Sequence, residues 1–372
     1  MLMIRRARSI ILRYSNAALI AENYVAKTEI ALSELGRWVL ASCDQWSHPY
    51  ALYSALPEAA HAALGREIAS LTSASLLVSL HSPAAVQDQE YEERFAWGAV
   101  AGYYHFSIRG TEYMDPAQSA SRLVEKSITT DAVALHQDNQ GYATITSLPR
   151  PELESDALSL MCRRRSYRGF SDQPLRLDHL SECLFAGLGI TGFVKPFAQS
   201  PEQLPFKLTP SGGGRNPYEA YVYARRVDGL APGVYHYSAS EHSLGLVNDQ
   251  ELLSVSDVLA GQRWFEHTAA LVVLVAHFER TMWKYPHPTG YRVVLLEAGH
   301  IAQNILLAAT ARGLACTPTC AIDDRQAVRL TKCAQLTQSH VYTVALGNRS
   351  TIPTVMDPLH IEPNSSSPVV PG

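Results

Sequence analysis

Lys284 and Tyr285 are adjacent residues that lie shortly before a long apolar segment, residues 291–312. Lysine can act as a base near neutral pH when burial or neighbouring cations lower its pKa, and an adjacent tyrosine can share or relay the proton. The pair therefore indicates proton transfer at the mouth of a buried helix. Taken alone, it is more often a surface lysine beside a packing tyrosine. Glu297 and His300 lie in the same segment, where a buried Glu–His pair is structural more often than catalytic.

A run of arginines with one hydroxyl group forms a second candidate site: Arg164, Arg165, Ser166 and Arg168. Guanidinium groups make charge-assisted, forked hydrogen bonds that match the oxygens of a phosphate monoester. The run therefore indicates phosphate binding. A solvated basic turn after a helix over 157–162 is the simpler explanation when the run is considered by itself.

Three consecutive glycines lie between Ser211 and Asn216. Because glycine has no Cβ atom, the backbone around Gly213 can approach a flat or phosphorylated ligand closely. The amide of Asn216 can bind the polar edge of a ring. The segment matches neither the dinucleotide-binding fingerprint nor the P-loop, so neither of those nucleotide sites is indicated. A flexible surface loop is the alternative.

Apolar periodicity predicts the elements that position these residues, all within a domain over 151–356. The run 269–276 is almost entirely apolar, which is typical of a central strand buried on both faces. Proline-rich residues 195–208 predict a loop. The other predicted elements are helices over 177–190, 252–259 and 291–312 and strands over 218–227, 234–237, 244–247 and 341–346.

Residues 1–90 predict a small, mainly helical module, with helices over 31–46 and 61–71. A winged-helix-like arrangement is one interpretation. Because no basic recognition helix is present, such a module would bind a peptide or a partner, or be purely structural, rather than bind DNA.

Residues 91–150 form a connecting segment that begins with an aromatic run over 91–106. Packing is the default role for such a run, and one wall of a substrate cleft is the alternative. Two prolines within 148–151 predict an extended linker. The polar tail over 357–372 predicts disorder.

Composition excludes several classes of protein. The formal net charge of -4 gives no reason to expect nucleic acid. No apolar run reaches the ~20 residues that span a bilayer, and the apolar run after Arg5, Arg6 and Arg8 is too short for a signal peptide. A cytoplasmic protein without membrane contact is expected. The six cysteines are scattered without a CxxC pair, so buried, reduced thiols are expected and no metal site.

Three ordered motifs together resemble the FMN-dependent nitroreductase superfamily. They are RRSYRGF at 164–170, the Ser-Gly-Gly loop, and the ARGLACTP segment at 311–318. The longer stretches TPSGGGRNPYEAYVYARRVDGLAPGVYHY and MWKYPHPTGYRVVLLEAGHIAQNILLAATARGL, with VALGNR, are similar to the SagB/McbC-type dehydrogenases of peptide natural-product biosynthesis. The resemblance covers residues 155–350.

This resemblance implies an α+β fold with a central mixed sheet flanked by helices, and a homodimer with FMN at the subunit interface. It also implies roles for individual residues. Lys284 and Tyr285 match the catalytic pair of this branch. The cofactor contacts that it implies are Arg164, Arg165, Ser166 and Arg168 for the phosphate and ribityl chain, Ser211, Gly213 and Asn216 over the flavin, Pro318 and Thr319 near the isoalloxazine, and Arg349 as a second phosphate contact.

The resemblance further implies oxidation of thiazoline or oxazoline rings to thiazole or oxazole in a peptide substrate. A cyclodehydratase or another biosynthetic enzyme is the partner that this activity suggests. Two kinds of alternative remain open. One is a different reaction on the same scaffold, either a nicotinamide-fed nitro- or ene-reductase or another oxidation of a peptidyl or amino-acyl substrate. The other is a non-catalytic subunit that binds a peptide.

Overall fold

The computed structural model describes residues 3–110, 112, 114–129, 156–195, 203–249, 253–333 and 336–352. The linker predicted over 148–151 and the tail predicted over 357–372 lie outside the described residues. Within them the chain is α+β, as expected.

The N-terminal region combines two small antiparallel sheets with a series of helices. Its strands are β1 (Ile4–Arg6), β2 (Ile10–Ser15), β3 (Ala18–Asn23), β4 (Thr28–Ala31) and β5 (Leu77–Ser79). Its helices are α1 (Glu34–Ser42), α2 (Tyr50–Ser54), α3 (His61–Ser73), α4 (Pro83–Arg94), α5 (Gly98–Ser107) and α6 (Pro116–Thr129). Strand β3 lies between β2 and β4, and β1 pairs with β5.

The helices α1 and α3 coincide with the two helices predicted for this module, but the strands β1 to β4 were not predicted. The β2–β3 hairpin turns on Asn16 and Ala17, which both have positive φ (47° and 64°). Such two-residue turns usually carry Asn-Gly. Because alanine stands where such a turn usually has glycine, no turn signal is visible at this position.

The second region carries the three candidate sites. Its helices are α7 (Asp156–Arg163), α8 (Leu177–Leu188), α9 (Val255–Val258), α10 (Phe278–Met282), α11 (Thr289–Ala311) and α12 (Asp324–Thr331). Its strands are β6 (Ile190–Val194), β7 (Leu204–Lys207), β8 (Tyr218–Ala224), β9 (Gly233–Ser238), β10 (Ser243–Asn248), β11 (Ala270–His277), β12 (Ala315–Thr319) and β13 (Gln338–Gly347). Part of the loop predicted over 195–208 is therefore strand β7, which pairs with β6.

Six of these strands form one sheet in the order β10-β9-β8-β11-β13-β12. All five pairings are antiparallel, so the expectation of a mixed sheet was wrong. The physical reason is local: β8, β9 and β10 are joined as successive hairpins, and β13 returns between β11 and β12 with the opposite direction to both. Seven of the eight residues of β11 are buried, as its apolar composition predicted.

Helix α11 packs against α8 and against β12 and β13 of the sheet. It ends before Gly313, whose positive φ of 68° suits a helix terminus. By length and composition this helix could cross a membrane, which the sequence did not suggest, but half of its most apolar window is buried inside the protein. The buried apolar side chains of this helix belong to the hydrophobic core.

The aromatic run over 91–106 joins the two regions. Tyr91, Phe95, Trp97 and Phe106 are buried in the same hydrophobic core as the inner face of α11. The packing role that was the default prediction is therefore present.

Candidate functional site

Lys284 and Tyr285 lie in the short segment between α10 and α11, directly over the glycine loop. The Lys284 Nζ donates a hydrogen bond of 3.1 Å to the carbonyl oxygen of Gly213. A Cβ atom on Gly213 would lie 2.3 Å from the Tyr285 hydroxyl, so only glycine leaves room for that hydroxyl. Lys284 is exposed in the single chain. The structure thus brings together two of the three predicted sites.

The glycine loop is a tight turn held by its own polar groups. Gly213 and Gly214 have positive φ values of 64° and 70°, which glycine adopts without strain. The Ser211 Oγ accepts a 2.8 Å hydrogen bond from the backbone N–H of Asn216. The Asn216 side chain donates to the Gly214 carbonyl at 3.0 Å. Ser211 and Asn216 therefore shape the loop in addition to any contact they make with a ligand.

Glu297 of α11 anchors this loop from below. It is 5% exposed, and its Oε2 accepts hydrogen bonds from the Ser211 hydroxyl at 2.8 Å and the Gly212 N–H at 3.3 Å. Burial raises the pKa of the Glu297 carboxyl, and the hydrogen bond from Ser211 opposes that rise. His300 is exposed and does not pair with Glu297. The structural role expected of Glu297 is present, but its partner is the glycine loop.

The arginine run lies between the end of α7 and strand β12. The backbone N–H of Tyr167 donates to the Cys316 carbonyl at 3.1 Å. The Arg349 guanidinium lies over the Tyr167 ring, 4.0 Å from its centroid. Burial raises the pKa of the Cys316 thiol to about 11, and the nearby positive charges of Arg164 and Arg349 oppose that rise. The structure thus brings Arg349 to the arginine run.

The members of this run are half-buried but not equivalent. The Arg165 Nη1 donates to the carbonyls of Cys162 and Arg164, both at 2.7 Å, so its guanidinium partly closes the end of α7. Ser166 and Arg168 follow on the same segment. Arg164 makes no side-chain hydrogen bond or ion pair to the described residues.

Pro318 and Thr319 form the end of β12, an edge strand of the sheet. An edge position tolerates proline, which cannot donate to a neighbouring strand. The Thr319 Oγ1 accepts from the Gln262 side chain at 3.3 Å and from the Ala321 N–H at 3.1 Å. Thr319 is therefore fixed by the loop that follows it.

Within one chain, the arginine run and the glycine loop lie at opposite ends of the sheet. Strand β11 shows the separation. The glycine loop leads into Tyr218, which pairs with Ala276 at the C-terminal end of β11. Arg349 follows the end of β13, where Leu346 pairs with Ala270 at the N-terminal end of β11. Tyr218 and Ala224 mark these two ends on β8, and six residue steps of ~3.3 Å separate them by roughly 20 Å. One chain therefore does not bring all the predicted cofactor residues together.

Trp97 is a contact of the site that the sequence did not single out. Its indole Nε1 donates a 2.8 Å hydrogen bond to the carbonyl oxygen of Tyr285. The only sequence signal was the aromatic run around it, which indicated packing in general and no particular partner.

The described residues thus form a six-stranded antiparallel sheet packed against one long helix, with the arginine run and the glycine loop at opposite ends of the sheet. The model of the Nitroreductase family matches residues 162–348, half of the chain. The chain belongs to this family, whose members are oxidoreductases.

Two relatives and one solved structure illustrate the similarity. The chain is 36% identical over 166 residues to "Putative nitroreductase MJ1384" of Methanocaldococcus jannaschii, which covers 44% of this chain and 78% of that protein. It is 37% identical over 114 residues to the trifolitoxin-processing protein TfxB of Rhizobium leguminosarum bv. trifolii, covering 29% of this chain and 30% of TfxB.

One structural match is to a chain of the E. coli microcin synthetase McbBCD complex, determined with truncated pro-MccB17 bound. The identity is 21%, the match covers 73% of this chain and 99% of that chain, and the TM-score is 0.52. At this identity the likeness shows the fold. The chain is therefore similar in sequence to part of TfxB and in fold to a chain of McbBCD.

Proposed function

We propose that this protein is an FMN-dependent dehydrogenase that oxidises thiazoline or oxazoline rings in a ribosomal peptide to thiazole or oxazole. The observation that carries the proposal is the placement of Lys284 and Tyr285 against Gly213. A potential base and a hydroxyl there meet a backbone that a flat ligand can approach closely. TfxB and McbBCD, which are named for toxin processing and microcin synthesis, support a peptide as substrate.

The arginine run fits the phosphate of FMN. The Arg349 guanidinium lies over the ring of Tyr167, which is part of the segment that carries Arg164, so its positive charge adds to that of the run. Guanidinium groups are well matched to phosphate oxygens. Because the glycine loop lies roughly 20 Å away along the sheet, a flavin that contacts both sites would be shared between two copies of the chain. This separation supports the proposed homodimer.

Lys284 would remove the acidic proton from the ring carbon, and Tyr285 would assist by sharing that proton. General-base assistance of this kind contributes ~10²–10⁴-fold to the rate. When bound, FMN would supply the two-electron redox chemistry, with dioxygen as the proposed final electron acceptor. The protein orients the ring and moves the proton. A cyclodehydratase that forms the azoline is the proposed partner enzyme.

The first test is the visible absorption spectrum of the purified protein before and after boiling. Flavin bands and release of FMN on denaturation are expected. The second test is incubation with an azoline-containing peptide in air, in which each oxidised ring loses two hydrogen atoms by mass. A colourless protein that takes up no added FMN would contradict the catalytic proposal and favour the scaffold subunit.

The similarity to a protein named as a nitroreductase favours a second candidate function, in which NADH or NADPH reduces the flavin and the flavin reduces a substrate. Rapid bleaching of the bound flavin by NADPH in the absence of peptide would favour this reductase. Slow bleaching by NADPH, together with oxidation of an azoline peptide in air, would favour the dehydrogenase.

A further inference from the structure

Residues 94–97, at the end of α4, make two hydrogen bonds to the segment 279–285, which carries Lys284 and Tyr285. At its beginning, the Arg94 Nε donates to the Glu279 Oε1 of α10 at 2.9 Å. At its end, the Trp97 Nε1 donates to the Tyr285 carbonyl at 2.8 Å. Lys284 and Tyr285 therefore lie at the C-terminal end of a segment whose two ends are both hydrogen-bonded to residues 94–97.

The contact made by Trp97 is closely packed. Its side chain is 2% exposed. A Cβ atom on Gly290 would lie 2.9 Å from the indole ring, so the chain after Tyr285 passes directly over it. The ring also meets Phe278 and Tyr291 edge to face, at centroid distances of 5.8 and 5.5 Å. The indole therefore cannot shift without displacing residues on either side of the pair.

We propose that Trp97 is a positioning residue that sets the placement of Lys284 and Tyr285 in the reaction. This inference rests on the proposed function, because it assumes that this pair carries the proton transfer. Residues 94–97 precede the stretch matched by the family model, residues 162–348. The geometry of the reactive pair thus depends on a part of this chain outside its family domain.

The test is Trp97→Phe in the full-length protein loaded with FMN, compared with Tyr91→Phe. The control removes one hydroxyl from a buried 2.7 Å hydrogen bond to Tyr24 in the same aromatic core, without touching the reactive segment. Because small displacements of reacting groups cost up to ~10²-fold in rate, we expect Trp97→Phe to lower kcat about tenfold with little change in KM. Tyr91→Phe should leave kcat unchanged.

A mutant cycle shows whether Trp97 acts through Lys284 and Tyr285. If it does, Trp97→Phe should lower the residual kcat less than about twofold in a Lys284→Ala/Tyr285→Phe background, because groups that act together are not additive. An equal loss in both backgrounds, or an equal loss of kcat in Tyr91→Phe, would overturn the proposal.

Hydrogen exchange gives a readout that does not require the proposed reaction. In Trp97→Phe, the backbone amides of residues 283–291 should exchange faster than in the wild type, and in Tyr91→Phe they should not. Unchanged exchange in Trp97→Phe would overturn the proposal even if no peptide substrate is found. Faster exchange in a protein that oxidises no azoline would refute the proposed function and leave the Trp97 contact as the determinant of this segment.

Discussion

The Lys284 Nζ and the Gly213 carbonyl oxygen are 3.1 Å apart, so the proposed base is hydrogen-bonded to the loop proposed to cover the flavin. The Tyr285 hydroxyl lies in the space that a side chain on Gly213 would fill. This contact joins two motifs that are 71 residues apart in the chain. A change at either motif should therefore affect both proton transfer and the fit of the loop.

Replacing Lys284 tests its role as a base. Lys284→Ala should lower the rate of azoline oxidation at least ~10²-fold while FMN remains bound. Lys284→Arg is the matched variant, because it keeps the positive charge but does not lose its proton at neutral pH. Single-turnover oxidation and the flavin spectrum measure the two effects. Full activity of Lys284→Ala would contradict the assignment, and recovery in Lys284→Arg would point to a purely structural cation.

Gly213→Ala should displace Tyr285, because the new Cβ atom would lie 2.3 Å from its hydroxyl. We expect turnover to fall about ten- to hundredfold. Gly229→Ala is the control: Gly229 also has positive φ, 73°, but has no atom within 4 Å of an added Cβ. Both variants should lose ~1–2 kcal/mol of unfolding free energy to backbone strain. Equal turnover in the two variants would show that the contact with Tyr285 does not matter.

Arg164→Ala should weaken FMN binding about 10- to 100-fold, because it removes a charge-assisted contact to phosphate. Its affinity for riboflavin, which has no phosphate, should be unchanged. Arg163→Ala, at an exposed neighbouring position, should leave both affinities unchanged. Fluorescence titration of the apoprotein measures them. A similar loss of affinity for FMN and riboflavin in Arg164→Ala would contradict a phosphate contact.

His105 should make the protein sensitive to acid. Burial, assisted by the charge of Arg109, lowers the pKa of His105 to about 3. The unfolded chain takes up this proton near pH ~6.5, so the stability gained by folding a neutral His105 is present above that pH and is lost as the pH falls towards 3. Between pH 7 and pH 5 the free energy of unfolding should fall by about 2 kcal/mol because of His105.

The matched variant is His105→Gln. In the wild type the imidazole Nδ1 of His105 lies 2.9 Å from the Tyr291 hydroxyl. The glutamine amide oxygen can accept a hydrogen bond from that hydroxyl, and the amide does not titrate. Urea unfolding at pH 7, 6 and 5 should show a shallower loss of stability in this variant. Carboxyl groups that titrate in the same range contribute equally to both proteins. The same pH dependence in both proteins would show that His105 takes up its proton at the same pH in the folded and the unfolded chain.

Much of the family domain could be predicted from the sequence. Strand β11 and helix α11 were predicted to within two residues at each end, because burial on both faces and a long apolar period leave clear patterns. The strands β1 and β4 were missed because they have only three and four residues, and β2 and β3 were missed because Ala17 hides the hairpin turn. The direction of pairing in the central sheet was also missed, because apolar runs indicate burial and not orientation.

The sequence alone determined the chemistry that is available: the Lys284–Tyr285 pair, the arginine run and the glycine loop, because local motifs fix residue types and spacing. Only the tertiary structure decided which of these groups meet. It joined Ser211 to Glu297 across 86 residues and Trp97 to Tyr285 across 188, and it put the arginine run and the glycine loop at opposite ends of one sheet. The physical reason is that such contacts depend on how strands pair and helices pack, which residues distant in the chain decide together.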